Sequence, residues 1–375
     1  MKMPRVVFVS RYFGRAKGGI GQYEEMLFAS LRTMIDIQLC PIQPFKVPHW
    51  LSLISQALAV DLPAVAGNFP MKVPCARDDG AILHFTNQNM APALLLYATA
   101  PSLITVHDII PYLQVTGLIP ARGQKFSPLS RLQITLFHKS LKMAKRIIAN
   151  SLHTKNDLVK HLDVDPNKID LIYLGVDRAM FRPIKKTIGR KRFNISADSR
   201  LILYVGANRP HKNLKVLVEA LAQIRHSASD MVLLIVGRRS EQDVQLSRLI
   251  AHYKLDGQVL FAGFVPRGEL PHLYNLADVL VMPSFYEGFG LPVLEAMSCG
   301  CPVLSSNSAS LPEILGNAGR LVPPHDPQMW AGALREILGD EDMRETMSAA
   351  GVERARQFDW KTAAVKTIQA YRSVI

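Results

Sequence analysis

The chain has 375 residues, enough for two cores of ordinary domain size, and a net charge of +13 from 44 Lys and Arg against 31 Asp and Glu. Residues 1–182 hold 21 of the basic side chains against 12 acidic ones; such an excess admits nucleic acid, an anionic membrane surface or an acidic substrate as partner, and the lack of any zinc-finger, RNA-recognition or basic-zipper pattern argues against nucleic acid. No apolar run reaches the roughly 18 residues of a membrane span, and Met1-Lys2-Met3-Pro4-Arg5 leads into a strand and not a signal peptide, so a cytoplasmic protein is expected.

In chain order, Arg5 to Ser10 reads as a first strand and Ile20 to Met34 as a helix. Between them lies the glycine-rich loop Phe13-Gly14-Arg15-Ala16-Lys17-Gly18-Gly19-Ile20-Gly21. It is not a Walker loop, because Ile20 stands where the Lys is required, and Gly19-Ile20-Gly21 runs on to Glu24, against the dinucleotide fingerprint. Strands follow at Ala81 to Phe85 and Leu103 to Val106, the first with His84-Phe85-Thr86-Asn87 at its end, the second with His107-Asp108. Pro128 to Ala144 reads as an amphipathic helix: Arg131, His138, Lys142 and Lys145 share one face, while Leu129, Leu132, Leu136 and Met143 share another. The plain reading makes the leucines a core stripe and the basic face solvated; the sharper one makes the basic face a dock for anionic lipid, helped by the apolar stretch Trp50 to Ile54. Arg146 to Asn150 is the next strand.

Asp163-Val164-Asp165 matches a metal-binding D-x-D, but Pro166 after it argues for a turn leading into the strand at Ile169 to Tyr173, so no metal site is expected. The polar, basic stretch Lys185 to Arg192 reads as a linker into a second strand and helix series, starting at Leu201 to Gly206 and continuing at Val232 to Gly237. Alternation of strand and helix in both halves predicts an α/β protein of two Rossmann-like domains, residues 1–182 and 183–359. Cys40, Cys75, Cys299 and Cys301 lack zinc-finger or thioredoxin spacing, and Cys299-Gly300-Cys301 reads as apolar packing in a reducing compartment.

The densest signal comes late. Asp278 to Ser284 reads as a buried strand, followed by Glu287-Gly288-Phe289-Gly290-Leu291-Pro292-Val293-Leu294-Glu295, with Glu287 in a loop and Glu295 on the helix that Pro292 helps start. The glycines admit close approach of a ligand and the helix start favours a diphosphate; two carboxylates beside them suit sugar and ribose hydroxyls. A loop and capping pair at the top of an α/β sheet is the plainer alternative.

This segment resembles the E-x7-E signature of retaining GT-B glycosyltransferases of family 4, which use nucleotide-activated sugars. Gly300-Cys301-Pro302-Val303, Leu311-Pro312-Glu313-Ile314 and Gly316-Asn317-Ala318-Gly319 continue the pattern in register. The resemblance implies two facing Rossmann-like domains with a donor cleft between them, and a C-terminal helix, residues 360–375, that returns to brace the first domain. It implies that Glu287 holds the donor sugar, Glu295 the ribose, Lys212 and Arg209 the diphosphate, and Gly18, Gly19, Gly288, Phe289, Gly290 and Leu291 further donor contacts. Many members carry Arg directly after the strand-end glycine, where this chain has Ala207. His107 would sit near the reacting sugar, with Asp108, His84 and Asn87 as acceptor-side candidates. The implied partners are a GDP- or UDP-sugar and a glycan or lipid-linked acceptor, with no cofactor and a location in the cytoplasm or at the inner face of the membrane. A sugar-nucleotide epimerase on the same fold, or a non-catalytic carbohydrate-binding scaffold, are the alternatives.

Overall fold

The computed structural model describes residues 4–14, 18–42, 80–121, 126–184, 190, 193, 195–225, 230–238 and 242–375. The stretches Trp50 to Ile54 and Lys185 to Ile188, Arg15 to Lys17 of the glycine loop, and Cys75 lie outside them. The chain divides into two compact units, Met1–Gly175 with Trp360–Ile375 (unit 1) and Val176–Asp359 (unit 2). This division falls ahead of the expected 182/183, because Phe181 packs on Tyr274 within unit 2 and its carbonyl accepts from Ser298 Oγ at 2.6 Å.

Unit 1 is built from β1 (Val6–Ser10), α1 (Gly19–Leu31), β2 (Ile37–Pro41), β3 (Ile82–Phe85), β4 (Ser102–Val106), α2 (Ile110–Val115), α3 (Pro128–Lys139), β5 (Arg146–Ala149), α4 (Leu152–Leu162) and β6 (Ile169–Leu171). Its strands form one parallel sheet in the order β2-β1-β3-β4-β5-β6. Parallel strands covered on both faces favour continuous apolar, β-branched runs over alternation, and β1, β3 and β4 are buried along their whole length. Ser151 starts α4 by accepting from Thr154 N, and Asp163 ends it in the left-handed region at φ 51°.

Unit 2 repeats the plan with β7 (Arg200–Val205), α5 (Leu214–Ile224), β8 (Met231–Val236), α6 (Gln242–His252), β9 (Val259–Gly263), α7 (Leu270–Leu276), β10 (Val279–Met282), α8 (Leu291–Ser298), β11 (Val303–Ser306), α9 (Leu311–Leu315), β12 (Arg320–Val322), α10 (Pro327–Gly339) and α11 (Glu341–Ala355). The parallel order is β12-β11-β10-β7-β8-β9. Each sheet therefore reverses its direction of growth once: between β1 and β3 in unit 1, and between β7 and β10 in unit 2. At such a reversal the loops leaving the two neighbouring strands part to opposite faces, opening a crevice at the carboxyl edge where ligands of this fold class bind.

The last helix, α12 (Trp360–Arg372), packs on α1 within unit 1. Its buried Tyr371 hydroxyl lies 2.7 Å from His84 Nδ1, His84 Nε2 lies 2.9 Å from Thr105 Oγ1, and that hydroxyl lies 2.7 Å from Tyr23 Oη. This corrects one expectation: His84 is fully buried with both ring nitrogens partnered, so it is a core residue and not an acceptor contact. Burial, with His107 adding repulsion, lowers its pKa to about 3 and keeps the ring neutral.

A second expectation is inverted. The helix predicted over 128–144 is α3 followed by a short 3-10 turn, Ser140–Met143. His138 is buried against Tyr112, its Nδ1–H donating to Ile134 O at 2.7 Å, whereas Leu129, Leu132 and Leu136 are 48%, 55% and 55% exposed. The face taken for a core stripe is the solvent face.

Tyr371→Phe removes the hydroxyl facing His84 in a dry environment, so unit 1 should lose about 1–2 kcal/mol, measured by urea unfolding. A change below a few tenths of that would show that the network from α12 contributes nothing to the unit.

Candidate functional site

In unit 2 the two strands flanking the reversal deliver the charged groups. After β7 the chain turns through Gly206-Ala207-Asn208-Arg209 into a 3-10 turn, Pro210–Lys212, and Asn213, at φ 55°, starts α5. Asn213 Nδ2 donates to Pro283 O at 3.2 Å and Pro324 O at 2.6 Å, tying this turn to the end of β10. After β10, the segment from Ser284 to Gly290 is held from beneath. Ser306 Oγ donates to Ser284 O at 2.6 Å, and Ser310 Oγ lies 2.9 Å from both Glu287 O and Phe289 O. Gly290 precedes α8 at φ 106°, a conformation L side chains rarely adopt, and a Cβ there would stand 3.0 Å from Leu311.

These supports bring together the two residues that the family resemblance singles out most strongly. Lys212 Nζ lies 2.6 Å from each carboxylate oxygen of Glu287, and Ser284 Oγ donates to Oε1 at 2.6 Å. Burial raises the Glu287 pKa, but the charges of Lys212 and His211 and the hydrogen bonds from Lys212 and Ser284 outweigh it and hold the carboxyl below its ordinary value. Glu295, on the buried side of α8, accepts from Tyr274 Oη at 3.0 Å. Gly288 is half-buried, Phe289, Gly290 and Leu291 are buried, and Arg209 is exposed at the start of the 3-10 turn.

In unit 1 the glycine loop ends at Gly18, whose φ of 99° sets up α1, with Gly19 as its first residue; both are exposed. His107 follows β4 and is buried: its Nε2–H donates to Thr86 O at 3.0 Å, its backbone N donates to Gln88 Oε1 at 3.1 Å, and the Tyr23 ring meets it edge-on at 4.7 Å. Burial lowers its pKa to about 4 despite that carbonyl, so the ring is neutral near pH 7. Asp108 is half-buried and accepts from Ile110 N at 3.0 Å. Asn87 is buried and caps the following 3-10 turn through Asn89 N.

The D-x-D pair is structural. Asp163 ends α4 and its carboxylate pairs with Lys142 at 2.7 Å, and Asp165 caps the 3-10 turn at Pro166–Lys168 by accepting from Asn167 N. Among the described residues no group of three His, Cys, Asp or Glu side chains is arranged to hold a metal ion.

Sequence reasoning passed over Asn213, Ser284, Ser306, Ser310 and Tyr274. The signal available for Asn213 was its place after Lys212 at a helix start; the others are fixed by contacts from distant segments.

Two parallel Rossmann-like units with charged groups at their carboxyl edges define the GT-B class of α/β protein. Residues 185–354 match the model of the glycosyl transferases group 1, and residues 79–179 that of glycosyltransferase family 4. The chain is 33% identical over 238 residues to O-antigen chain mannosyltransferase B of Escherichia coli, covering 63% of this chain and 62% of that protein. It is 30% identical over 280 residues to D-inositol 3-phosphate glycosyltransferase of Thermobispora bispora, covering 72% and 65%. The chain thus spans less than two thirds of the length of either relative. The structure of Anabaena Alr3699/HepE in complex with UDP-glucose superimposes with a TM-score of 0.74 at 20% identity, covering 98% of this chain and 99% of that one. The chain belongs to the group 1 glycosyltransferases of family 4 type.

The buried Lys212–Glu287 pair also gives Glu287 a part in stability. Glu287→Gln leaves a largely buried lysine without its counter-charge, which should cost on the order of 1–3 kcal/mol at pH 7. Because the folded carboxyl titrates below its unfolded value of about 4.3, the stabilisation is present above that pH and lost as pH falls through the folded pKa. Thermal unfolding of wild type and variant should therefore differ at pH 7 and converge in acid; an equal gap at both would exclude the ion pair as its source.

Proposed function

We propose that the protein transfers a hexosyl unit, of mannose or glucose type, from a GDP- or UDP-sugar to a hydroxyl of a glycan or lipid-linked acceptor, with retention of configuration and without a metal ion. The Lys212–Glu287 pair carries this reading: a cation suited to phosphate and a carboxylate suited to sugar hydroxyls meet at the reversal of a parallel sheet. The name of the Escherichia coli relative supports a mannosyl donor, and the UDP-glucose complex of the Anabaena protein supports a nucleotide sugar.

In this reading the diphosphate draws Lys212 away from Glu287, with Arg209 assisting from the exposed start of the turn, and Glu287 is released to the sugar hydroxyls. Glu295 takes the ribose diol. The Gly288, Phe289, Gly290 and Leu291 backbone and the Gly18 and Gly19 amides take oxygens between them, and His107 and Asp108 serve the sugar and acceptor. The bond from the anomeric carbon to the phosphate oxygen breaks while the acceptor oxygen bonds the same face, and the departing phosphate oxygen takes the acceptor proton. Catalysis then rests on position and charge stabilisation.

The exposed face of α3 favours work at an anionic membrane surface. Leu129, Leu132 and Leu136 form an exposed apolar stripe on α3, and Met143 in the turn after it and Arg131, Lys139, Lys142 and Lys145 in the same segment are exposed as well. Each of these half-exposed leucines leaves roughly 1 kcal/mol of burial unrealised in water, and basic residues add about 1 kcal/mol each near anionic lipid. No helix of the described residues is long and apolar enough to cross a membrane, so such binding is interfacial.

A panel of UDP- and GDP-sugars, scored by nucleotide release with and without acceptor, should yield one donor that turns over in excess chelator; complete inhibition that added metal reverses would overturn the metal-independent reading. Lys212→Met should weaken nucleoside diphosphate binding about 10- to 100-fold by calorimetry, the loss of one charge-assisted contact. For the membrane, wild type should sediment with vesicles containing anionic lipid, and Leu132→Ser with Leu136→Ser should not. Equal recovery of both proteins in the supernatant would sink the docking face.

A further inference from the structure

Glu24 is a fully buried carboxylate on α1 that none of the roles above uses. Its Oε2 accepts from Ser10 Oγ at 2.7 Å and from Tyr12 N at 2.9 Å, and its Oε1 accepts from the Thr86 hydroxyl. Asn87 Nδ2 stands 3.5 Å from the same oxygen. Ser10 Oγ in turn accepts from Phe13 N at 3.0 Å. Ser10 ends β1, Tyr12 and Phe13 begin the glycine loop, and Thr86 and Asn87 follow β3. The carboxylate therefore occupies the reversal point of the unit 1 sheet, where the loops of β1 and β3 part. Burying a carboxylate costs several kcal/mol unless hydrogen bonds repay it, and a core-facing apolar residue on α1 would fill the space without that cost.

We infer that Glu24 is a positioning residue for the two loops at the carboxyl edge of the unit 1 sheet. It sets the glycine loop through Ser10 and Tyr12, and it sets His107 through Thr86, whose carbonyl accepts from His107 Nε2. Two independent loops are fixed by the two oxygens of one group, so their spacing follows from the width of a carboxylate. Glu24 itself touches no substrate. Gln at this position can keep only half the arrangement. Tyr12 N–H can only donate, so the amide oxygen must remain there, and the amide nitrogen then faces Thr86 and Asn87. Thr86 can turn its hydroxyl to Val9 O, 3.0 Å away, but Asn87 Nδ2 cannot be reconciled with a second donor.

This inference rests on the transferase reading for its kinetic arm and stands apart from it in a second arm. With the preferred donor, Glu24→Ala should lower kcat about 100-fold, the scale of a 1 Å misplacement, while the affinity for free nucleoside diphosphate falls far less, since of its proposed contacts only the Gly18 and Gly19 amides belong to the loop that Glu24 sets. Glu24→Gln should fall between the two. Hydrogen exchange followed by mass spectrometry should show faster exchange of the peptides spanning Ser10 to Gly21 and His84 to Met90, with unit 2 unchanged. Wild-type kcat in Glu24→Ala, or unchanged protection of both peptides, overturns the inference. Should Glu24→Ala fail to fold, Glu24→Gln decides by the same readings. If the wild-type protein turns over no donor, the transferase reading falls and the exchange arm still decides the role of Glu24.

Discussion

The constraint on which the rest depends is the single reversal of strand order in each parallel sheet. It forces two neighbouring loops apart at the carboxyl edge and leaves their first backbone amides and carbonyls without ladder partners. The chain answers with a buried carboxylate in each unit. In unit 1, Glu24 gathers the loops of β1 and β3 by hydrogen bonds alone. In unit 2, Glu287 meets a lysine from across the reversal. The difference decides what each can do. A carboxylate held by hydroxyls and amides of two loops is fixed between them, whereas one paired with an ammonium group on a long side chain can exchange that partner for another.

The motif from Glu287 to Glu295 was open to sequence reasoning because its parts are local. Glu287, Gly290 and Glu295 lie within one loop and one helix, and Pro292 and the glycines constrain that loop whatever surrounds it. Lys212 was readable by position after β7. Its bonding to Glu287 was not, since the two lie 75 residues apart and only the strand order makes them neighbours. The same holds for Glu24 with Thr86, separated by 62 residues, and for Asn213 with Pro324, separated by 111. A carboxylate in the first turns of a helix looks like an ordinary surface residue until the topology places another loop against it.

The inversion of α3 has a different cause. Periodicity tells that Leu129, Leu132, Leu136 and Met143 share one face and that His138 lies on another. It does not tell which face the neighbouring elements cover. His138 could be buried because a backbone carbonyl one turn earlier accepts its Nδ1–H and the ring packs on Tyr112, so the cost of burying imidazole is moderate once its charge is lost. Lys139 then lies beside the leucines, and Lys142 and Lys145 follow the helix, all exposed. Such an exposed apolar face is what carries the proposed contact with a membrane surface in place of the core stripe.

On the proposed reading, the charge arrangement of unit 2 also bears on how tightly a donor would be held. A diphosphate gains from Lys212 only the difference between its own interaction and the pair that Lys212 already makes with Glu287. Part of the attraction is thereby withheld from a nucleoside diphosphate without sugar, since the freed carboxylate would then face the anion with nothing to bond. A sugar whose hydroxyls accept Glu287 as partner recovers that loss. Recognition of the sugar and of the phosphate would then be coupled through one ion pair, and a donor with both parts would be favoured over either fragment beyond what the separate contacts would supply.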